Sequence, residues 1–410
     1  MASKTPRDSV LGWDASLNGL LTAMARLTST FLVLGLLLCL AMPLPASAFP
    51  TEVSEAERNA IRMKFESEVQ TVGSQVSGGP AAPSVPISRS WVRLPKCDST
   101  VATDGGGNFR TIQAAIDAVP RGRGQTRWVI CVSKGTYKEK VKVPITASYV
   151  SLWGAPLDAT QVTIQWGDTA ATPVPGGTPG QKLGSYDSYT FAIEAEHFSA
   201  LYITFQNTAA RPKDGDPNGQ AVAVRTSNNY QAFYKCQFRG HQDTLFAHQG
   251  LQYYRDCYLR GSVDFIFGNA TALFQNCDVY ADVIDKGFLT AQARATAAEN
   301  TGFVFRGGSV TGTGLVYLGR AWGLAAKVVF LEVYLGPVVK PEGWDRWGKP
   351  TNAIFYGEYS CSGPGSARAG RVGWAFQLTA AQARPFLSPN FIQASTWLPT
   401  SGLPAQAVPY

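Results

Sequence analysis

Short apolar and aromatic stretches dominate the chain from residue 127 onward, and turn residues such as Gly, Asn, Asp and Ser separate them. Runs of this length that are rich in β-branched and aromatic residues are typical of β-strands. The predicted strands lie within 127–143, 149–155, 161–166, 190–208, 220–240, 242–270, 301–310, 314–322 and 327–336. The segments between them are too short for the crossover helices of an α/β fold.

Three cysteines recur at almost equal spacing within these strands. Cys236, Cys257 and Cys277 are 21 and 20 residues apart, in the similar contexts FYKCQF, YYRDCYL and LFQNCDVY. A repeat of about 20 to 25 residues with one strand per unit is the signature of a solenoid. The pattern therefore predicts an all-β chain that folds as a parallel β-helix in one domain, rather than as a sandwich of hairpins.

Helical periodicity is confined to short segments. FRTIQAAIDAVP, residues 109–120, places Ile112, Ile116 and Val119 on one face, which predicts a short helix at one end of the solenoid. A second short helix is expected within TAAQARPFL, residues 379–387, with Thr379 as its N-cap.

The N-terminal part of the chain has a different organisation. Residues 1–48 contain Lys and Arg, then the apolar run FLVLGLLLCLAM, and end in Ala46-Ser47-Ala48, which favours a secretory signal cleaved after Ala48. An uncleaved membrane anchor is the alternative, but the run is shorter than the roughly 20 residues of a membrane span. Residues 49–90 are expected to form an amphipathic helix and a Gly/Pro/Ser linker, and residues 91–400 the β-helix domain.

Charge and composition narrow the function. The net charge of +7 and the pI near 9.0 indicate an acidic partner, but no Lys/Arg run resembles a nucleic-acid-binding tail, so we expect an acidic polysaccharide and no nucleic acid. Three histidines and the absence of a CxxC motif argue against a metal site. The six cysteines after the signal would enter a compartment that permits disulfides.

Two acids lie one predicted coil apart. Asp243 and Asp264 are separated by 21 residues, the same interval as Cys236 and Cys257. Strands on neighbouring coils are about 4.8 Å apart, so we expect the two carboxylates to lie side by side. Such a pair, flanked by amides, is a candidate catalytic dyad, although an acidic pair in a solenoid can also be a structural ladder.

The chain resembles the plant-type pectinesterases, also called pectin methylesterases. The resemblance runs from about Trp91 to Leu398 and rests on eight motifs taken together. They are GTYKEKV (135–141), QAVAVR (220–225), GHQDTLF (240–246), VDFIFGNA (263–270), LGRAW (318–322), PEGWDRWG (341–348), FYGEYSCSGPG (355–365) and VGWAFQLT (372–379).

The resemblance implies a single-stranded right-handed parallel β-helix that hydrolyses the methyl esters of pectin to pectate and methanol, without metal or organic cofactor. By the same resemblance Asp264 is the nucleophile and Asp243 the acid/base. Gln220 and Gln242 match the amides that stabilise the oxyanion. Arg320 matches an arginine that holds the nucleophile. Substrate binding is implied for Gln220, for Arg320 and for Trp322, an aromatic that packs on sugar rings.

The resemblance also implies pectin, or homogalacturonan, as the bound polymer, a pectinesterase inhibitor protein as a further partner, and a secreted monomer in the cell wall. About 40 residues between the signal and the domain leave no room for an inhibitor-like pro-region, so we expect the short form. Spacing allows Cys257 to form a disulfide with Cys236 or with Cys277, and the resemblance favours Cys277. Asn269 begins a glycosylation sequon beside the nucleophile and is expected to be unmodified.

Two other classes remain as alternatives. A β-helix lyase or polygalacturonase would need calcium-binding carboxylates with a basic Arg, or several Asp residues for glycoside inversion, and neither accounts for the Gln–Asp pattern. A non-catalytic pectin-binding protein would be expected to lack Asp243, Asp264 or Arg320, and all three are present.

Overall fold

The computed structural model describes residues 94–213 and 219–408. The predicted signal, helix and linker within residues 1–90 lie outside these ranges. The described part contains 23 strands. They are β1 Ser99–Val101, β2 Trp128–Val132, β3 Gly135–Lys138, β4 Val141–Val143, β5 Val150–Gly154, β6 Val162–Trp166, β7 Phe191–Ile193, β8 Ser199–Leu201, β9 Thr204–Asn207, β10 Val224–Thr226, β11 Gln231–Tyr234, β12 Gln237–Arg239, β13 Leu245–Ala247, β14 Leu251–Arg255, β15 Tyr258–Gly261, β16 Val263–Gly268, β17 Thr271–Gln292, β18 Gly302–Ala321, β19 Lys327–Leu331, β20 Tyr334–Leu335, β21 Trp344–Asp345, β22 Phe355–Tyr359 and β23 Phe376–Gln377.

The pairings between named strands are parallel and arrange the chain as successive coils of a β-helix with three faces. One face, which we call the site sheet, runs through β4, β7, β10, β13, β16, the last parts of β17 and β18, and β21. A second runs from β1 and β2 through β5, β8, β11 and β14 to β23, and a third from β3 to β20. The predicted parallel β-helix is confirmed.

Alternation along each short strand fills the interior of the coils. In the site sheet, Val224, Leu245 and Ile266 occupy equivalent positions on three successive coils, 21 residues apart each time, and all are fully buried. Aromatic rings continue such ladders: Tyr254 stacks on Phe274 with ring centroids 4.5 Å apart. The resulting core is stabilised by burial of apolar surface along its length.

Four short α-helices lie outside the coils: α1 Ile112–Asp117, α2 Gly184–Asp187, α3 Ala380–Leu387 and α4 Ala394–Trp397. Both predicted helices are confirmed. Thr111 caps α1, and Thr379 caps α3 in a capping box with Gln382. Six 3₁₀ segments are Ala159–Gln161, Pro364–Ser366, Arg368–Gly370, Pro389–Ile392, Leu398–Thr400 and Ala405–Ala407.

The predicted disulfide between Cys257 and Cys277 is not formed, because both thiols are free and buried. The pairing of Arg255 with Gln275 and of Tyr258 with Asp278 places the two cysteines directly opposite each other on neighbouring coils. Side chains stacked in this way leave one strand at the strand spacing of about 4.8 Å, whereas a disulfide brings its Cβ atoms to about 3.8 Å.

Cys236, the other candidate partner, belongs to the same stack and is also free. The disulfide of the described chain joins Cys97 to Cys131, whose Cα atoms are 5.7 Å apart. Cys97 precedes β1, so it is not held directly opposite Cys131 by strand pairing; Thr100 is the residue that pairs with Cys131.

Candidate active site

Asp243 and Asp264 meet at the start of the site sheet, on adjacent coils. The backbone N–H of Asp243 donates to the carbonyl of Val263 at 3.0 Å, and Leu245 pairs with Ile266 two residues later. Both aspartates have a left-handed backbone, with φ of 62° and 49°, a conformation that Asp tolerates better than most residues. Both side chains are buried. The predicted juxtaposition of the two acids is therefore present in the structure.

Arg320, near the end of β18, holds Asp264. Its Nε donates to Asp264 Oδ1 at 2.7 Å, and one of its terminal nitrogens donates to Oδ2 of the same carboxylate. The guanidinium lies between two rings, 4.3 Å from the centroid of Phe288 and 3.8 Å from that of Trp347. These rings shield the ion pair from water on both faces, which strengthens it and fixes the orientation of Asp264.

Ser185 contacts the second acid, and sequence reasoning did not find it. This residue lies in α2, and its hydroxyl donates to Asp243 Oδ2 at 3.1 Å. The segment that carries it connects β6 to β7, two coils before Asp264, and no spacing or motif marked it. Trp347 was also not singled out, although it lies within the motif PEGWDRWG.

Different neighbours give the two carboxyls different acidities. Burial raises the pKa of Asp264, and the hydrogen bonds and charge of Arg320 oppose that rise. Burial raises the pKa of Asp243 well above its usual range, and the negative charge of Asp264 raises it further against the smaller effects of Ser185 and Arg320. The pair therefore retains one proton on Asp243 while Asp264 is ionised.

Gln220 and Gln242 flank this pair. The N–H of Ala221, next to Gln220, donates to the carbonyl of Gln242 at 3.1 Å, so the two glutamines lie on adjacent coils. Both residues are half-buried, as expected at the mouth of a site. A Cβ at Gly219 would lie 3.1 Å from Oε1 of Gln242, so a larger residue at position 219 would crowd that amide.

Trp322 lies at the opposite end of the site sheet from the acids. It is 44% exposed, and its ring centroid is 6.0 Å from that of Phe267. Phe267 stacks on Phe246 of the preceding coil at 4.2 Å, and Tyr186 meets Phe246 edge-on at 6.3 Å. A row of aromatic rings therefore crosses the outer face of the sheet, which is a surface suited to carbohydrate rings.

The sequon residue Asn269 is engaged in a hydrogen-bond network. Its amide nitrogen donates to Glu299 Oε2 at 2.8 Å, and its oxygen accepts from the hydroxyl of Thr301 at 2.7 Å. A glycan on this nitrogen would displace Glu299. The contacts are consistent with the expectation that Asn269 is unmodified, which stays a prediction.

Within residues 94–213 and 219–408, no group of three or more His, Cys, Asp or Glu side chains is placed to hold a metal ion. In the same part of the chain, no helix is long and apolar enough to cross a membrane.

The family model described as Pectinesterase matches residues 98–395. The chain belongs to the pectinesterase family. It is 39% identical over 300 residues to Pectinesterase QRT1 of Arabidopsis thaliana, a match that covers 73% of this chain and 78% of that protein. The family assignment makes the chain an enzyme of this type, in agreement with the resemblance seen in its motifs.

Solved structures show the same relationship. Pectin methylesterase from carrot superposes with a TM-score of 0.68 at 32% identity, over 77% of this chain and 98% of that one. A pectin methylesterase in complex with a hexasaccharide superposes with a TM-score of 0.63 at 26% identity, over 73% of this chain and 97% of that one. As a pectinesterase, the chain acts on the methyl esters of pectin.

Proposed function

We propose that this pectinesterase demethylesterifies homogalacturonan in the cell wall through a covalent intermediate on Asp264. The observation that carries the proposal is the unequal treatment of two adjacent carboxyls. Asp264 accepts two hydrogen bonds from Arg320, whereas Asp243 faces a hydroxyl in a buried position beside the charge of Asp264. One acid is thereby prepared as a nucleophile and the other as a proton donor.

In the first step, an oxygen of Asp264 attacks the carbonyl carbon of the methyl ester, and the carbonyl oxygen becomes an oxyanion. The amides of Gln220 and Gln242 donate hydrogen bonds to that oxyanion without titrating themselves. The bond to methoxide then breaks, Asp243 gives its proton to the leaving oxygen, and methanol departs. The sugar carboxyl remains on Asp264 as an anhydride.

In the second step, Asp243, now ionised, takes a proton from water, and the resulting hydroxide attacks the anhydride. The products are a galacturonate carboxylate and the free carboxylate of Asp264, and Asp243 is again protonated. Arg320 favours the ionised form of Asp264, so it assists its departure in this step and restores the starting state.

The surroundings of the dyad support a polysaccharide substrate. The row formed by Tyr186, Phe246, Phe267 and Trp322 offers stacking surfaces beside the acids, and a structural relative binds a hexasaccharide. The net charge of +7 favours association with the acidic wall polymer. The signal-like N-terminus supports secretion, and regulation by an inhibitor protein is part of the same proposal.

The test is the incubation of the purified protein with highly esterified pectin, followed by measurement of methanol, reducing ends and unsaturated sugar products. We expect methanol with neither of the other two products. New reducing ends would indicate a glycosidase, unsaturated ends would indicate a lyase, and binding without methanol would indicate the non-catalytic alternative.

A further inference from the structure

A chain of alternating cations and aromatic rings leads away from the site. Arg320 lies over Phe288, and the ammonium of Lys286 is 5.2 Å from the centroid of the same ring. Lys286 is also 5.1 Å from the ring of Tyr317, and Lys340 is 5.2 Å from that ring. We call Lys286, Phe288, Tyr317 and Lys340 the lysine–aromatic strip.

The two rings form a fixed platform. Phe288 in β17 pairs with Tyr317 in β18 on the next coil, and their rings stack with centroids 5.3 Å apart and an interplanar angle of 10°. Phe288 is buried and Tyr317 is half-buried, so the platform presents part of its surface to solvent. Strand pairing holds both backbones, and a ligand would therefore meet a surface that needs little reorganisation.

The charges of the strip are not balanced by ion pairs. Within residues 94–213 and 219–408, no carboxylate is close enough to form a salt bridge with Lys286 or Lys340. Glu342 and Asp345 are near enough to raise the pKa of Tyr317, but burial is the larger cause of that rise. Two ammonium groups around one ring repel each other, and an anion bound between them would relieve that repulsion.

We propose that the lysine–aromatic strip binds an unesterified galacturonate residue of the polymer, next to the ester that reacts at Asp264. The nature of the ligand rests on the proposed function. A galacturonate offers a carboxylate for the two ammonium groups and a face of C–H bonds for the platform, whereas its methyl ester carries no charge to pair with them. The strip adjoins Arg320, so the residue bound there belongs to the same polymer chain as the reacting ester.

This recognition makes the enzyme sensitive to the esterification of its substrate. A chain that already carries a free carboxylate beside an ester binds more tightly than a fully esterified chain. Each product carboxylate can then occupy the strip while a neighbouring ester reacts. The strip is thus a specificity determinant for partly de-esterified pectin.

Calorimetric binding of an unesterified galacturonate hexamer tests the proposal without any need for turnover. We compare the wild type with the Lys286→Gln/Lys340→Gln double variant and with Tyr317→Leu. The matched control is Lys235→Gln, because Lys235 is an exposed lysine 5.5 Å from the ring of Tyr234 on a different corner of the β-helix. We expect the double variant to bind about three- to tenfold more weakly at low salt, with a smaller difference at high salt and no change in the control.

The second measurement is kcat/KM on fully esterified and on partly de-esterified oligogalacturonides. The double variant is expected to lose activity on the partly de-esterified substrate and to keep it on the fully esterified one. Unchanged hexamer binding in the double variant, or an equal loss on both substrates, would overturn the proposal. If the wild type releases no methanol, the proposed function fails, and the hexamer measurement still decides whether the strip binds galacturonate.

Discussion

Arg320 donates to both oxygens of the Asp264 carboxylate, and it does so from a coil two turns further along the β-helix. The register that passes from Phe267 to Ala291 and then to Arg320 brings these residues to the same face of the site sheet. The ion pair distinguishes Asp264 from Asp243, whose closest described hydrogen bond is to the neutral hydroxyl of Ser185.

Replacement of Asp243 by Asn should slow methanol release by about a hundred- to ten-thousandfold, because proton transfer to the leaving methoxide is lost. The deficit should shrink on an ester whose leaving group is a weaker base than methoxide, provided that acylation limits the rate. The measurement is kcat/KM for both esters, in the variant and in the wild type. Equal deficits on the two esters would show that Asp243 is not the proton donor.

The pH dependence of kcat/KM should be bell-shaped. Activity falls as the pH drops through the pKa of Asp264, because the nucleophile gains a proton. It also falls as the pH rises through the pKa of Asp243, because the acid loses its proton. Burial raises the pKa of both groups, so both limbs should lie above the pH at which exposed Asp side chains titrate.

Ser185→Ala should move only one of these limbs. The serine hydroxyl donates to the ionised form of Asp243, so its removal raises the pKa of Asp243 further and shifts the alkaline limb to higher pH. The acid limb, which belongs to Asp264, should stay in place. An unchanged alkaline limb would show that this hydrogen bond does not act on the acid.

Much of this arrangement could be predicted from spacing. The interval of 21 residues between Asp243 and Asp264 equals the register between Leu245 and Ile266, because coil length is constant in this region. Coil length varies elsewhere: Phe191 pairs with Val224, 33 residues later, so a fixed period cannot place residues across that coil. Ser185 lies within this longer coil, and spacing therefore gave no sign of its contact with Asp243.

The disulfide failed for a related reason. Spacing placed Cys257 and Cys277 one coil apart, which is correct, but it carried no information on the direction of their side chains. The sandwich of Arg320 between Phe288 and Trp347 likewise depends on packing between three separate coils. The motifs that contain Arg320 and Trp347 were recognisable, whereas their contact was not.

Peptide mapping under non-reducing conditions should find Cys97 linked to Cys131, and unlinked Cys236, Cys257, Cys277 and Cys361. Burial raises the pKa of the thiol of Cys236 to about 12 and that of Cys361 to about 11, so these thiols should react with alkylating reagents only after unfolding. A peptide that joins Cys257 to Cys277 or to Cys236 would contradict the structure.

The central claim is that Asp264 attacks the ester, and the most direct measurement is methanol release by Asp264→Asn under single-turnover conditions, with enzyme in excess over ester. An Asn side chain has almost the same shape, so the variant should keep its thermal unfolding temperature and its binding to pectin. We expect its rate of methanol release to be at least about a thousandfold below that of the wild type. A rate close to that of the wild type would contradict the claim.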